Sequence, residues 1–517
     1  MGKRAILAFV LTLIVLIFYQ YLLEQFMPQY IQQKKQPPQK KEEVIVAPVP
    51  SPKPSPPKRI ITKVEAVAEK DIIVETDLYR AIFTNKGAAI KSWELKRYKD
   101  NSKKNPVRLL KENLDVYPLS IAIDGHGILN KNYKVDREKI TLSKEKYTDT
   151  LSFIYQDPSG LSIKKNLTFY NVDYKINMTV EIGGASSFIL SLGTNFGIFD
   201  AETGSISGHI GPVVRINSKN ITEDLKLKEN KVHTGNIHWV AIEDKYFASA
   251  IVPFKNPDNV LINKEKNGLS VGIKVSESQK TEFLLYAGPK EYDRLKALKV
   301  NLEDIIDYGW FAVLAKPLFW MLKFFNDFLK NYGLSIIALS TVIKIVFIPL
   351  THKSQKSMKA MQELTPKINA LREKYKKDTQ RLNKEVMELY KKHKINPMGG
   401  CLPILLQIPV FIALYNVLIN IIELRGAPFV LWIQDLSQKD PYYILPIAMG
   451  ISMLIQQKMT PTPATADPIQ SKIMLFLPVI FTIMFLSFPA GLVLYWLVNN
   501  ILTIAQQWYT NKKLAHK

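Results

Sequence analysis

Lys344 lies near the centre of a mostly apolar run, Leu334 to Leu350, which is long enough for one bilayer crossing. A cation at the middle of a spanning helix costs roughly 2.5–3.5 kcal/mol on insertion scales. Channels and pumps usually offset such a charge with an intramembrane carboxylate, yet none of the later apolar runs carries Asp or Glu in its interior. Water is the remaining way to keep Lys344 charged. A bundle containing this helix is therefore expected to enclose a hydrated, electropositive cavity.

The hydrophobic content of 47% is unevenly spread over the 517 residues: apolar runs crowd the two ends, and the middle reads as a soluble domain. A single cysteine, Cys401, excludes an intramolecular disulfide framework and a Cys-based zinc cluster, and no cofactor or metal is expected. The net charge of +23 fits nucleic acid or anionic lipid in general. In a chain with several spanning candidates, cytoplasmic loops are the first place to look for it, so no specific nucleic acid is expected.

Residues 1–27 hold Lys3 and Arg4 ahead of an apolar stretch too long for a cleaved signal and lacking a small-x-small cleavage site, which predicts a signal-anchor helix with its N-terminus inside. Residues 28–62 are rich in Pro, Gln, Lys and Ser, the composition of an extended tether. From 63 to 300, short alternating runs such as Leu151 to Tyr155 and Ile176 to Ile182 are separated by turn signals, among them Asn85-Lys86-Gly87, Asp157-Pro158-Ser159-Gly160 and Asn267-Gly268. This spacing predicts a large all-β sandwich on the far side of the membrane.

Residues 301–332 are amphipathic and aromatic, and Pro317 is expected to divide them into two short interfacial helices. A second crossing at 333–352 leads into a basic stretch, 353–396, in which thirteen Lys and Arg face five Asp and Glu. The positive-inside rule places that stretch in the cytoplasm. Apolar residues from Met358 to Tyr375 and from Leu382 to Leu389 recur at helical steps, which predicts a coiled-coil hairpin. Its basic side chains, including Lys356, Lys359, Arg372, Lys374, Lys376, Lys377 and Arg381, are either merely solvated or a docking face for anionic lipid, a ribosome or a targeting factor. Residues 397–508 supply four more crossings and 509–517 a basic tail, giving six crossings with both termini cytoplasmic.

These helices are polar at intervals. Thr341, Gln407, Asn416, Ser452, Gln456, Thr482, Asn499 and Thr503 fall at or near bilayer depth, where each alone reads as helix–helix glue. Together with Lys344 they suit a wet groove, and Pro403, Pro409, Pro446 and Pro478 are expected to kink the helices around it.

The stretches Asn396 to Pro403 with Gln407-Ile408-Pro409, Leu431 to Leu436 with Asp440 to Pro446, Lys472 to Met474 with Pro478 to Phe481, and Phe488 to Trp496 closely resemble the YidC family of membrane protein insertases, in that family's order and spacing. The anchor, tether and sandwich resemble its Gram-negative form. The resemblance implies a polytopic α-helical bundle, a five-helix insertase core plus the anchor helix, carrying a large periplasmic β-sandwich. It also implies a hydrophilic groove open to the cytoplasm and to lipid, with one positive residue that attracts acidic parts of a substrate. Lys344 matches that position, where many members have arginine; lysine keeps the charge and lacks the planar fork. Thr341, Gln407, Asn416 and Asn499 are the groove's expected polar lining. Tyr495 and Trp496 read either as a slide for the substrate's apolar helix or as lipid-facing aromatics.

The function so implied is insertion and assisted folding of nascent inner-membrane proteins, alone or with the general secretion translocon. It needs no covalent chemistry, and the sequence has no GxxxxGK[ST] phosphate loop. Two rival classes are a solute transporter using Lys344 as an anion site, which calls for inverted repeats that the sequence does not display, and a membrane-anchored scaffold whose sandwich binds partners.

Overall fold

The computed structural model describes residues 67–123, 127–199, 208–276, 280–375, 378–393, 395, 402–459 and 468–515. The anchor at 1–27, the tether at 28–62, and Lys376, Lys377 and Cys401 lie outside the described residues. The chain divides into two compact units, the first ending at Gly288 and the second beginning at Pro289.

The first unit is built from three sheets of five, nine and six strands. Pairing is predominantly antiparallel, and Asp71–Glu75 runs parallel to Lys139–Thr141. Period-two patterning explains the strands: in Ser162–Tyr170 the buried positions are Ile163, Lys165, Leu167 and Phe169, alternating with more exposed ones. The expected turns join strands as read, with Asp157 to Gly160 linking Thr148–Gln156 to Ser162–Tyr170. Trp93 stacks on Tyr79 at 4.3 Å between ring centroids, and both are fully buried.

Lys165 breaks this apolar pattern. Its Nζ donates to the carbonyls of Gly87, Ala88 and Leu119 at 3.0, 3.1 and 2.6 Å, so an ammonium with three protons meets three acceptors inside the core. Burial pushes it down from 10.5 to about 7.

The second unit is helical. Helix α1 (Tyr292–Ala297) precedes α2 (Ala312–Leu329). Pro317 does not divide α2 into two as expected: it sits just past the first turn, where its missing N–H removes a single intrahelical bond. One side of α2 buries Ala315, Phe319 and Leu322, while Val313, Trp320, Phe324 and Phe328 are exposed. Next come α3 (Tyr332–Glu363), α4 (Thr365–Lys374), α5 (Thr379–Lys392), α6 (Leu402–Asn420), α7 (Ile444–Met459), α8 (Pro468–Phe485) and α9 (Ala490–Ala515).

Helix α3 starts at Asn331, whose side chain caps Leu334 N at 3.0 Å and donates to Phe429 O at 2.9 Å. Gly333 is required there, because a methyl at that position would collide with the Phe429 ring. The loop before α7 is organised by Asp440, only 1% exposed, which accepts from Trp432 Nε1 and from the backbone N–H groups of Tyr442 and Leu445 at 3.0, 3.0 and 2.7 Å. Pro409 and Pro478 lie inside α6 and α8. Pro446 instead falls in the first turn of α7, where the lost N–H has no intrahelical partner anyway, so it is not one of the expected kinks.

Helix α3 is long and apolar enough to cross a bilayer, and the apolar stretches Gln407–Asn420, Ile444–Met459 and Leu475–Phe485 are shorter. Their surfaces are inverted relative to a soluble protein. Ile345 and Val346 on α3, Ile447 and Ile451 on α7, and Phe476, Ile480 and Ile483 on α8 are exposed. Exposed apolar helix faces of this kind are matched by lipid, not water.

Candidate functional site

A seam of polar side chains runs where α3 packs on α9. Lys344 Nζ donates to Thr503 Oγ1 at 2.7 Å, and Thr503 Oγ1 donates to Asn499 O at 2.6 Å. Two turns along α3, Thr351 Oγ1 accepts from Gln506 Nε2 at 2.5 Å and donates to Phe347 O at 2.9 Å. Beyond it, toward α4, lies a cavity of about 120 Å³ lined by Gln355, Met358, Lys359, Gln362, Met459, Gln507 and Asn511. On its other side α9 bonds α7, with Asn500 Nδ2 donating to Ser452 Oγ at 2.9 Å and Gln507 Nε2 to Met459 O at 2.6 Å.

The seam follows from helical spacing. On α9, Asn499, Thr503, Gln506 and Thr510 are four, three and four residues apart and share one face. On α3, Thr341, Lys344, Thr351 and Gln355 recur at steps of three, seven and four. Neither helix carries a carboxylate except Glu363, the last residue of α3. Among the described residues no carboxylate lies within ion-pair distance of Lys344, whose hydrogen-bond partner is a hydroxyl. Lys344 is half-buried, whereas its neighbours Ile345 and Val346 are turned outward and exposed.

The expected lining residues do not all meet. Thr341 sits one turn before Lys344 on the same face and bonds back to Ile337 O at 2.8 Å. Asn499 lies one turn before Thr503 and supplies it with a backbone acceptor. Tyr495 is 2% exposed and hydrogen-bonds with Gln407, and thus sits in the interior, not on a lipid-facing surface. Trp496 is half-buried against Phe411, Phe481 and Phe485, with centroid distances of 4.7, 5.8 and 5.1 Å. Asn416 belongs elsewhere: its Nδ2 donates to Tyr308 O at 3.1 Å, and Asn420 Nδ2 donates to Asp307 O at 3.0 Å, fastening the segment before α2 to the end of α6. Reading polar residues by depth alone misses Thr351, Gln355 and Gln506; reading them by face, at three- and four-residue steps, finds them.

Beyond α3 the chain folds back as α4 and α5 around Leu364, Ile368, Val386 and Tyr390, with Leu371, Leu382 and Leu389 packed alongside. Asp378 caps α5 by accepting from Arg381 N at 2.9 Å. Lys356, Lys374 and Arg381 are exposed, Arg372 is half-buried, and Lys359 turns into the cavity. Lys374 and Arg381 both flank the Tyr375 ring at 5.4 Å.

Residues 324–517 match the family model described as 60Kd inner membrane protein, and residues 71–321 match the one described as YidC periplasmic domain. Over 99% of its length the chain is 42% identical to the membrane protein insertase YidC of Geotalea daltonii, all of which is covered. It is equally 42% identical to the protein of that name from Syntrophus aciditrophicus, over 99% of this chain and 100% of that one. A solved structure of an active YidC insertase with its first transmembrane domain aligns over 86% of this chain and 93% of its own, at 19% identity and a TM-score of 0.39.

Proposed function

The chain belongs to the YidC family of membrane protein insertases, and from that premise we propose that it inserts nascent proteins into the inner membrane through the α3–α9 seam. The observation that carries this reading is Lys344 bonded to Thr503, with no carboxylate among the described residues to neutralise it, between helices whose outer faces are apolar. A site of that kind attracts an acidic side chain and offers hydroxyls and amides to a polar tail. It also leaves the substrate's apolar helix next to lipid.

The steps follow from the parts. The basic α4–α5 hairpin meets the emerging chain at the cytoplasmic surface, where anionic lipid, a ribosome and a targeting factor are its candidate partners. An acidic residue of the tail then pairs with Lys344, which lowers the cost of carrying it below the value for bare hydrocarbon. The polar lining of the groove lowers the cost of moving the tail across a thinned hydrophobic layer. The substrate's helix partitions sideways into lipid, driven by burial at roughly 25 cal/mol per Å² of apolar surface.

In this reading the chain crosses the membrane six times with both termini cytoplasmic, carries residues 63–300 in the periplasm, and works alone or with the general secretion translocon. Reconstitution in liposomes with a short single-span substrate bearing an acidic tail tests it. Protease protection of the tail is expected only with the protein present; equal protection without it refutes the reading.

A further inference from the structure

The cavity between α3, α7 and α9 has a chemistry distinct from that of Lys344. Its polar walls are chiefly primary amides, Gln355, Gln362, Gln507 and Asn511, with one ammonium, Lys359, at the side. One of these wall amides, Gln355, has its Oε1 shielded from the surface and without a hydrogen-bond partner among the described residues, as has Gln506 Oε1, which lies outside the cavity wall. Gln506 uses its other end on Thr351. A buried acceptor left so is unfavourable unless a donor, from water or from a bound chain, reaches it.

That pattern selects among ligands. A phosphate or carboxylate brings acceptors, which meet the amide oxygens unfavourably, and a single lysine is a sparse anion site. A peptide unit brings one N–H and one C=O, the complement of what a primary amide presents. A cavity of about 120 Å³, where one water needs about 10–15 Å³, has room for a peptide unit.

Distance gives the cavity a place in the insertion path. Gln355 follows Lys344 by eleven residues on one helix, about 16 Å along the axis at 1.5 Å per residue. An extended chain covers that in about five residues at 3.3 Å each. We propose that the cavity binds one extended peptide unit of the incoming chain about five residues from the acidic residue held at Lys344, on the side still facing the hairpin. The two sites then act as a ruler that sets the register in which a polar tail enters the membrane. This inference rests on the insertase reading and adds a second, backbone-reading site to it.

Photo-crosslinking in proteoliposomes with the full-length protein separates the two. A photoreactive residue replaces Thr341 beside Lys344 or Asn511 in the cavity wall, and the substrate is a single-span protein whose one aspartate is moved stepwise along its tail. The Thr341 probe is expected to capture the aspartate region, and the Asn511 probe a position about five residues away that shifts in step with the aspartate. Gln355→Leu is expected to lower insertion about fivefold and to broaden the Asn511 pattern. If the Thr341 probe captures substrate while the Asn511 probe captures phospholipid, or substrate without register, the ruler is overturned and the insertase reading stands. If neither probe captures substrate, the insertase reading itself falls.

Discussion

Lys344 Nζ and Thr503 Oγ1 are 2.7 Å apart across the α3–α9 contact, and the threonine hydroxyl donates its own hydrogen bond to Asn499 O. The hydroxyl thus accepts from the amine with a fixed polarity and leaves the other ammonium protons for water or substrate. Thr503→Val removes the acceptor and keeps the shape. A hydrogen bond to a charged group contributes about 1.5–3 kcal/mol, so insertion of an acidic-tailed substrate is expected to fall about tenfold. Thr503→Ser should retain most of it. Equal activity in the two variants would show that this bond does not position the amine.

The charge at 344 and the sandwich make opposite demands. Lys344→Glu reverses the attraction for acidic tails and adds a buried anion, so insertion should drop to the protein-free level, while Lys344→Arg keeps the charge and most activity. Deleting most of residues 63–298 is expected to be largely tolerated. Complementation of a depletion strain measures both; loss of function on deletion, with Lys344→Glu active, would favour a scaffold.

Lys165 makes the periplasmic unit sensitive to pH. Its folded value of about 7 lies below the 10.5 of the free side chain. Between those values the unfolded chain binds more protons, so stability rises with pH; below about 7 both states are protonated and this contribution to the slope vanishes. Urea midpoints of a fragment spanning 67–288 should rise from pH 7 to pH 9.5, and Lys165→Met should flatten the rise. An unchanged slope in the variant would assign the effect elsewhere.

The hairpin depends on a small core. Ile368 is 1% exposed and packs with Leu364, Val386 and Tyr390. Ile368→Ala is expected to cost about 2–5 kcal/mol of local stability, seen as faster amide exchange over 365–392 with α9 unaffected. Exchange that stays protected would mean that α4 and α5 are held by something other than this cluster.

The strands of the first unit were legible because alternation and turn residues coincide, as at Asp157 to Gly160. Lys165 was not: a lysine inside an alternating strand reads as solvent-facing until the carbonyls that enclose it, 46 to 78 residues away, are known. In the second unit Lys344 stood out because its charge conflicts with its surroundings. Depth alone places Asn416 in the groove, whereas its face directs it to Tyr308 O. Pro317 reads as a break because the start of α2 at Ala312, five residues earlier, has no side-chain cap to mark it.

The central claim is that water reaches the α3–α9 seam from the cytoplasm. Asn499→Cys, in a background where the one native cysteine is changed by Cys401→Ser, places a thiol one turn from the acceptor of Lys344. Only a solvated thiol ionises and reacts quickly with a membrane-impermeant maleimide. Rapid labelling from the cytoplasmic face of inverted vesicles, and slow labelling from the outer face, is the predicted result. A thiol inert from both sides, or reactive only from outside, would contradict the hydrated groove.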